Sequence, residues 1–213
     1  VKTGDFMVRP IKTVEIEEVS KLLASAYHED QFFKWCVARE EARHQVVAQY
    51  YQVYLRSKGC VAHVAQGDDQ RIVGATVWLP HETDARLYEE IERVVGVANA
   101  PMFNEVAEKS HANEPTQGPF YQLVGFGVLT GMQGKGVGQA LLKYHLDILD
   151  EAGVPTYLEA STPYHGGGVY GKFGYEPFGS LMFFTETAVL YPLYRHAKKG
   201  DNNENEKENS IYL

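Results

Sequence analysis

Apolar residues recur with a helical period in some stretches of the chain and alternate in others. Asp5 to Pro10 alternates weakly and predicts a first strand. Thr13 can cap a helix whose buried face is Ile16, Val19, Leu22, Leu23, Ala26 and Tyr27, with Glu15, Glu17 and Glu18 in the first turn, where the helix dipole favours acids. His28-Glu29-Asp30 breaks that pattern, and an aromatic cluster of Phe32, Phe33 and Trp35 follows. A second helix is predicted from Glu40 to Ser57 on a stripe of Val46, Val47, Tyr50, Tyr54 and Leu55, stopped by Gly59. Cys60 to Ala65 and Ile72 to Leu79 read as a hairpin joined by Gly67-Asp68-Asp69-Gln70. His81 to Ala112 is charged and helix-friendly, and Pro101 divides it into two helices. Asn113 to Pro119 is a loop by composition, and Phe120 to Leu129 is an apolar, β-rich strand.

A long helix is then predicted from Val137, Leu141, His145, Ile148 and Ala152, flanked by Leu142, Leu146 and Leu149 and closed by Gly153 and Pro155. Two further strands are predicted at Phe178 to Phe184 and Thr187 to Leu193. From Lys198 to Asn209 the chain is polar, charged and rich in Asn, the composition of a disordered tail. One domain is expected over residues 1–197, with the tail at 198–213.

The strand at 120–129 meets the long helix through Gln133-Gly134-Lys135-Gly136-Val137-Gly138. The first amides of a helix have no internal partners and carry the positive end of its dipole. Glycines there let a bulky anion reach them, and Lys135 adds a mobile positive charge, so a phosphate or pyrophosphate is the expected guest. A P-loop is excluded, because position 129 is Leu and Lys135 is followed by Gly136 rather than Ser or Thr. A dinucleotide fingerprint is excluded by the alternate spacing of Gly134, Gly136 and Gly138.

The run Q-x-x-G-x-G at Gln133 to Gly138 resembles the acyl-CoA pyrophosphate loop of the GNAT N-acetyltransferases. GVLTGMQGKGVGQALL, AGVPTYLEAS and VYGKFGYEPFG follow one another in order, and together they resemble the puromycin N-acetyltransferase-like branch. The resemblance is strongest from Phe120 to Gly179 and looser in the N-terminal half. It implies an α/β (α+β) fold with a mixed, mostly antiparallel sheet of about seven strands, splayed between strands 4 and 5 and flanked by helices.

The resemblance also implies roles. Phe126, Gly127 and Val128 at the end of the strand, with Gln133, Gly134, Lys135, Gly136, Val137 and Gly138, would bind acetyl-CoA as co-substrate, and the N–H of Val128 would polarise the thioester carbonyl. Tyr170, in V-Y-G-K-F-G-Y, matches the general-acid tyrosine that protonates the leaving thiolate. The strand at 120–129 contains no acid, which leaves Glu159 in L-E-A-S as the nearest carboxylate to bind or deprotonate the amine. Alternation puts Tyr157, Glu159 and Ser161 on one face. Phe32, Phe33, Trp35 and Trp78 are candidates for the acceptor pocket, and the 81–112 insertion is the expected source of specificity. The chain departs from the family pattern after Ser161: the family's CoA-contacting Asn is missing, His165 takes its place, and Gly166, Gly167 and Gly168 run consecutively.

The reading is therefore an acetyl-CoA-dependent N-acetyltransferase acting directly on a small amine. The alternatives are acetylation of a protein lysine or N-terminus, and acyl-CoA binding without turnover. A formal charge of −8 argues against a general nucleic-acid surface and suits a basic acceptor. Cys36 and Cys60 form no C-x-x-C pair, so no metal is expected, and both read as buried free thiols. The chain shows no membrane-length apolar run, no signal-like segment and no N-x-[ST] sequon. A cytoplasmic monomer or homodimer, without membrane or nucleic-acid partners, is the expectation.

Overall fold

The computed structural model describes residues 2–3, 5–81, 86–166 and 168–198. In chain order the elements are β1 (Lys2–Thr3), β2 (Phe6–Pro10), α1 (Ile16–Ala26), α2 (Gln31–Cys36), α3 (Glu40–Arg56), β3 (Val61–Gly67), β4 (Ile72–Pro80), α4 (Arg86–Val95), α5 (Ala100–Asn113), β5 (Tyr121–Val128), α6 (Val137–Glu151), β6 (Thr156–Ala160), α7 (Val169–Lys172), β7 (Glu176–Pro177), β8 (Met182–Phe183) and β9 (Val189–Arg195). The strands form a mixed sheet in the order β1-β2-β3-β4-β5-β6-β9-β7, with β8 paired to β9. Six strands are long and β1, β7 and β8 are two-residue pieces, which agrees with the expected mixed, mostly antiparallel sheet of about seven strands. The strand expected over Phe178 to Phe184 shrinks to Met182–Phe183, and β9 runs on to Arg195. The tail expected from Lys198 lies, from residue 199 on, outside the described residues.

Helices α1 and α3 cover one face of the sheet and α6 the other. Val19, Leu22 and Leu23 of α1 join Val47 and Tyr51 of α3 over Ala75 and Val77 of β4. On the opposite face Leu142 and Leu146 of α6 pack on Trp78, Leu123 and Leu158. The buried face of α6 is Val137, Leu141, Leu142, His145, Leu146 and Leu149, while Ile148 is 48% exposed. The helical period places Ile148 inside, but Leu142, Leu146 and Leu149, at steps of four and three, fill that face. Both cysteines are free, Cys36 buried and Cys60 half-buried.

Asp30, which ends the α1 pattern, begins α2: its Oδ1 accepts from the N–H of Phe32 at 2.9 Å and of Phe33 at 3.3 Å. Within the expected 81–112 insertion the described residues form two helices, α4 and α5, with the break at Gly96 to Asn99 and Pro101 inside the first turn of α5, where its missing N–H costs nothing. Among the described residues, no helix is long and apolar enough to cross a membrane.

Candidate active site

One parallel pair interrupts the antiparallel order. β5 and β6 pair only over Tyr121–Leu123 and Thr156–Leu158. On its other edge β5 stays paired with β4 as far as Val128, through a register shift at Val77/Trp78 that leaves Val124 unmatched. Beyond Leu123 and Leu158 the two strands part, and Val124 to Val128 line the gap with one edge. The N–H of Leu129 turns toward β4, donating to the Val73 carbonyl at 2.9 Å. Alternation therefore turns the N–H and C=O of Phe126 and Val128 into the gap. Two phenols satisfy part of this edge. Tyr27 Oη accepts from the N–H of Phe126 at 3.0 Å, and Tyr51 Oη donates to the Val124 carbonyl at 3.4 Å. The N–H of Phe126 is thus engaged by Tyr27, while its carbonyl faces the gap.

Gly127, by contrast, turns its backbone groups toward β4. A Cβ there would sit 2.9 Å from Ala26 Cβ and 3.1 Å from a methyl of Leu23, and one on Gly125 would sit 2.9 Å from the Tyr51 ring. Both glycines let α1 and α3 close on the strand. At Gly127, expected as a cofactor contact, the structure shows a close approach of α1.

At the far end of the gap the chain turns into α6. Gln133 to Gly136 are exposed, and Gly134 and Gly136 have φ of 74° and 81°, with nothing within 4 Å of a Cβ on either. Gly136 is the N-cap, and no side chain caps the helix, so the first amides of α6 keep their donors. Gln133 Nε2 donates to the Val128 carbonyl at 3.3 Å and ties the turn to the strand end. Lys135 is exposed, with Nζ 3.7 Å from Met132 Sδ. Val137 is buried, and Gly138 lies against the Phe126 ring. An open, uncapped glycine turn at a helix N-terminus fits a diphosphate.

Beside the gap lies a cavity of about 420 Å³ that both Glu159 and Tyr170 line. Glu159 is the first β6 residue past the paired segment. Its Oε1 accepts from Tyr157 Oη at 2.9 Å and its Oε2 from Ser110 Oγ of α5 at 2.8 Å. Tyr157 and Glu159 share a face, as alternation predicts; Ser161 Oγ reaches Asp30 Oδ2 at 2.5 Å. Burial, with Glu114 adding like charge, pushes the Glu159 carboxyl up to about 7, against the pull of its two hydroxyl donors. Tyr170 lies near Phe126, with ring centroids 6.1 Å apart, and its hydroxyl has no hydrogen-bond partner among the described residues. Burial, then the neighbouring Tyr27 and Tyr175, hold its phenol well above the ordinary tyrosine value.

Phe32 and Phe33 line the cavity. Trp35 stands outside it, its ring 4.6 Å from that of Phe184. Trp78 is fully buried on the α6 face, 4.7 Å from the His145 ring, so the acceptor contact expected of it is not available. His165 is exposed and outside the cavity lining, and its carbonyl accepts from the N–H of Gly168 at 2.7 Å. The carbonyl of Gly166 lies where a Cβ on Gly171 would go, so this loop folds directly onto the helix that carries Tyr170. Sequence reasoning missed Tyr27, Tyr51, Tyr88, Ser110 and Glu114 as parts of the site. Only the 81–112 insertion gave a signal, and α4 and α5 bring Tyr88 and Ser110 from it to the cavity.

The family model for the Acetyltransferase (GNAT) family matches residues 25–175, most of the chain and all of the gap, turn and cavity strands. The chain belongs to the GNAT acetyltransferase family. No curated protein sequence matches it. Among solved structures, it resembles a histone acetyltransferase HPA2 and related acetyltransferase from Corynebacterium glutamicum, with a TM-score of 0.67 at 17% identity over 92% of this chain and 99% of that one. It also resembles arylalkylamine N-acetyltransferase 2 from Aedes aegypti, with a TM-score of 0.64 at 11% identity over 92% and 100%. An agmatine N-acetyltransferase variant gives 0.63 at 14% identity over 90% and 100%. At these identities the likeness is one of fold, and it places this GNAT protein's splayed pair, β5 and β6, in a GNAT architecture.

Proposed function

We infer that this GNAT protein transfers the acetyl group of acetyl-CoA directly to the amine of a small molecule. The observation that carries the reading is the convergence of three features on one gap: an uncapped glycine turn, a phenol without a hydrogen-bond partner among the described residues, and a carboxyl raised by burial to about 7. Acetyl-CoA brings an activated thioester. The amides of Gly134 to Gly138 and the start of α6 would hold its diphosphate. The N–H of Val128 is turned to donate to the thioester oxygen. Glu159 would take the proton that the amine nitrogen loses as its bond to the acetyl carbon forms. Tyr170 would give its phenolic proton to the sulfur as the carbon–sulfur bond breaks, and regain one from solvent. The net change is one N–acyl bond formed, one thioester broken and one thiol released.

Helices α4 and α5 wall the cavity through Tyr88, Phe103 and Ser110, which favours a small acceptor over an extended polypeptide. Within the family, the three motifs of the 120–179 region support a place beside the puromycin N-acetyltransferase-like branch. The test is release of CoA thiol from acetyl-CoA against a panel of amines, aminonucleosides and peptides. Release with small amines and not with peptides is expected. Release with peptides alone would reassign the protein, and acetyl-CoA binding without release to any acceptor would make it a binding protein.

A further inference from the structure

The wall of the cavity specifies the kind of amine, an inference that rests on the acetyltransferase reading above. Asp30, Glu114 and Glu159 line the cavity, and no Lys, Arg or His does among the described residues. Asp30 is fully engaged, one oxygen capping α2 and the other holding Ser161. Glu159 accepts only from two neutral hydroxyls, which leaves its remaining lone pairs without a cation. Glu114 faces two imidazoles, His111 Nδ1 at 3.5 Å and His81 Nδ1 at 3.9 Å. A second cation on the acceptor would have to compete with both for it.

Aromatic rings make up much of the remaining wall, with aliphatic and neutral polar side chains such as Ile91, Leu190, Asn104 and Gln122 between them. The rings of Phe32 and Phe33 lie 5.2 Å apart, those of Phe33 and Tyr50 6.0 Å, and those of Tyr50 and Phe103 5.1 Å. The hydroxyls of Tyr50 and Tyr54 meet at 3.0 Å, so each finds its polar partner in the other. Such a wall offers ring faces to an aromatic body and to a cation, and no donor of positive charge to an anion.

We propose that the acceptor is a monocationic primary amine with an aromatic body and no carboxylate or phosphate. Its nitrogen sits at Glu159 and its ring among Tyr50, Phe33 and Phe103. An added carboxylate would be desolvated against Glu114 and Glu159 with no cation to meet it.

The test compares 2-phenylethylamine, phenylalanine and putrescine as acceptors in CoA-release kinetics, with acetyl-CoA binding measured separately by calorimetry. The kcat/KM for 2-phenylethylamine is expected to exceed that for phenylalanine by about 100-fold or more, and that for putrescine by about 10-fold or more. The charge reversal Glu114→Lys puts a cation in the wall and should shrink the first ratio by about 10-fold or more. If that variant does not fold, Glu114→Gln should move the ratio the same way by less. Phenylalanine or putrescine used as well as 2-phenylethylamine, no release with 2-phenylethylamine, or an unmoved ratio in a folded variant overturns the proposal. In those cases acetyl-CoA binding with turnover of another amine leaves the enzyme reading intact; failure to bind acetyl-CoA removes both.

Discussion

Glu159 and Tyr170 are tuned by the same influence, removal from water, with opposite chemical results. Burial raises the carboxyl to about 7, where it can exchange a proton at neutral pH, and it keeps the phenol protonated as a donor. Tyr170→Phe should lower kcat by about 10-fold or more while acetyl-CoA affinity, read by calorimetry, stays unchanged. Unchanged turnover would remove the acid role. For Glu159 the readout is the pH profile. Wild-type kcat/KM should rise as Glu159 loses its proton through about 7, and Glu159→Gln should lose that limb; an identical profile would leave Glu159 without a role in the chemistry. Its stability effect has the reverse direction. Between 4.5 and about 7 the folded state holds this proton and the unfolded chain does not, so this group alone lowers stability as pH rises through that window.

At the scale of elements, the junction of β5 with α6 was legible because its signal is local. A β-rich run, alternate glycines and a long apolar period lie next to one another in sequence, and each has one structural meaning. That Glu159 and Tyr157 share one face of β6 was legible for the same reason, since alternation needs only neighbours. What could not be read is what depends on which element packs behind a residue. Gly127 reads as a cofactor contact from its place in the motif, and its close approach to Ala26 and Leu23 of α1, about a hundred residues away in sequence, is not written there. Trp78 alternates as a pocket residue would, and only the position of α6 shows that its side of the sheet is core. These two kinds of glycine predict different failures. Gly136→Asp adds a negative side chain to the uncapped turn, in a backbone conformation that favours glycine, and should abolish acetyl-CoA binding in a folded protein. Gly127→Val, on the helix face, should lower the thermal midpoint before it touches cofactor affinity, because α1 must move away. Calorimetry and thermal melts of both variants separate the two, and retained binding in Gly136→Asp would discredit the turn as the diphosphate site.

Across the whole molecule, the apolar contact between α6 and the sheet encloses a seam of buried polar rings. His145 lies 4.9 Å, ring to ring, from His63 and 4.7 Å from Trp78. Buried polar atoms of all three, and Thr76 Oγ1, have no hydrogen-bond partner among the described residues. Burial drives His63 down to about 4 and His145 to about 3, the latter helped by His63 itself. Both rings stay neutral in the fold at pH values where the unfolded chain, with histidines near 6.5, is already protonated. The unfolded state therefore binds more protons below 6.5, and stability falls as pH drops from there toward 4, at about 1.4 kcal/mol for each pH step per ring, after which only His145 contributes, down to about 3. Because α6 presents the glycine turn, loosening this seam should also weaken acetyl-CoA binding at acid pH, before global unfolding. His145→Leu replaces the ring by an apolar side chain among Trp78, Tyr121 and His63. It should flatten the dependence of the melting temperature on pH between 6.5 and 5 relative to the wild type. Melts followed by circular dichroism at several pH values check this, and a variant whose midpoint falls with acid as steeply as the wild type's would show that the seam does not govern the acid response.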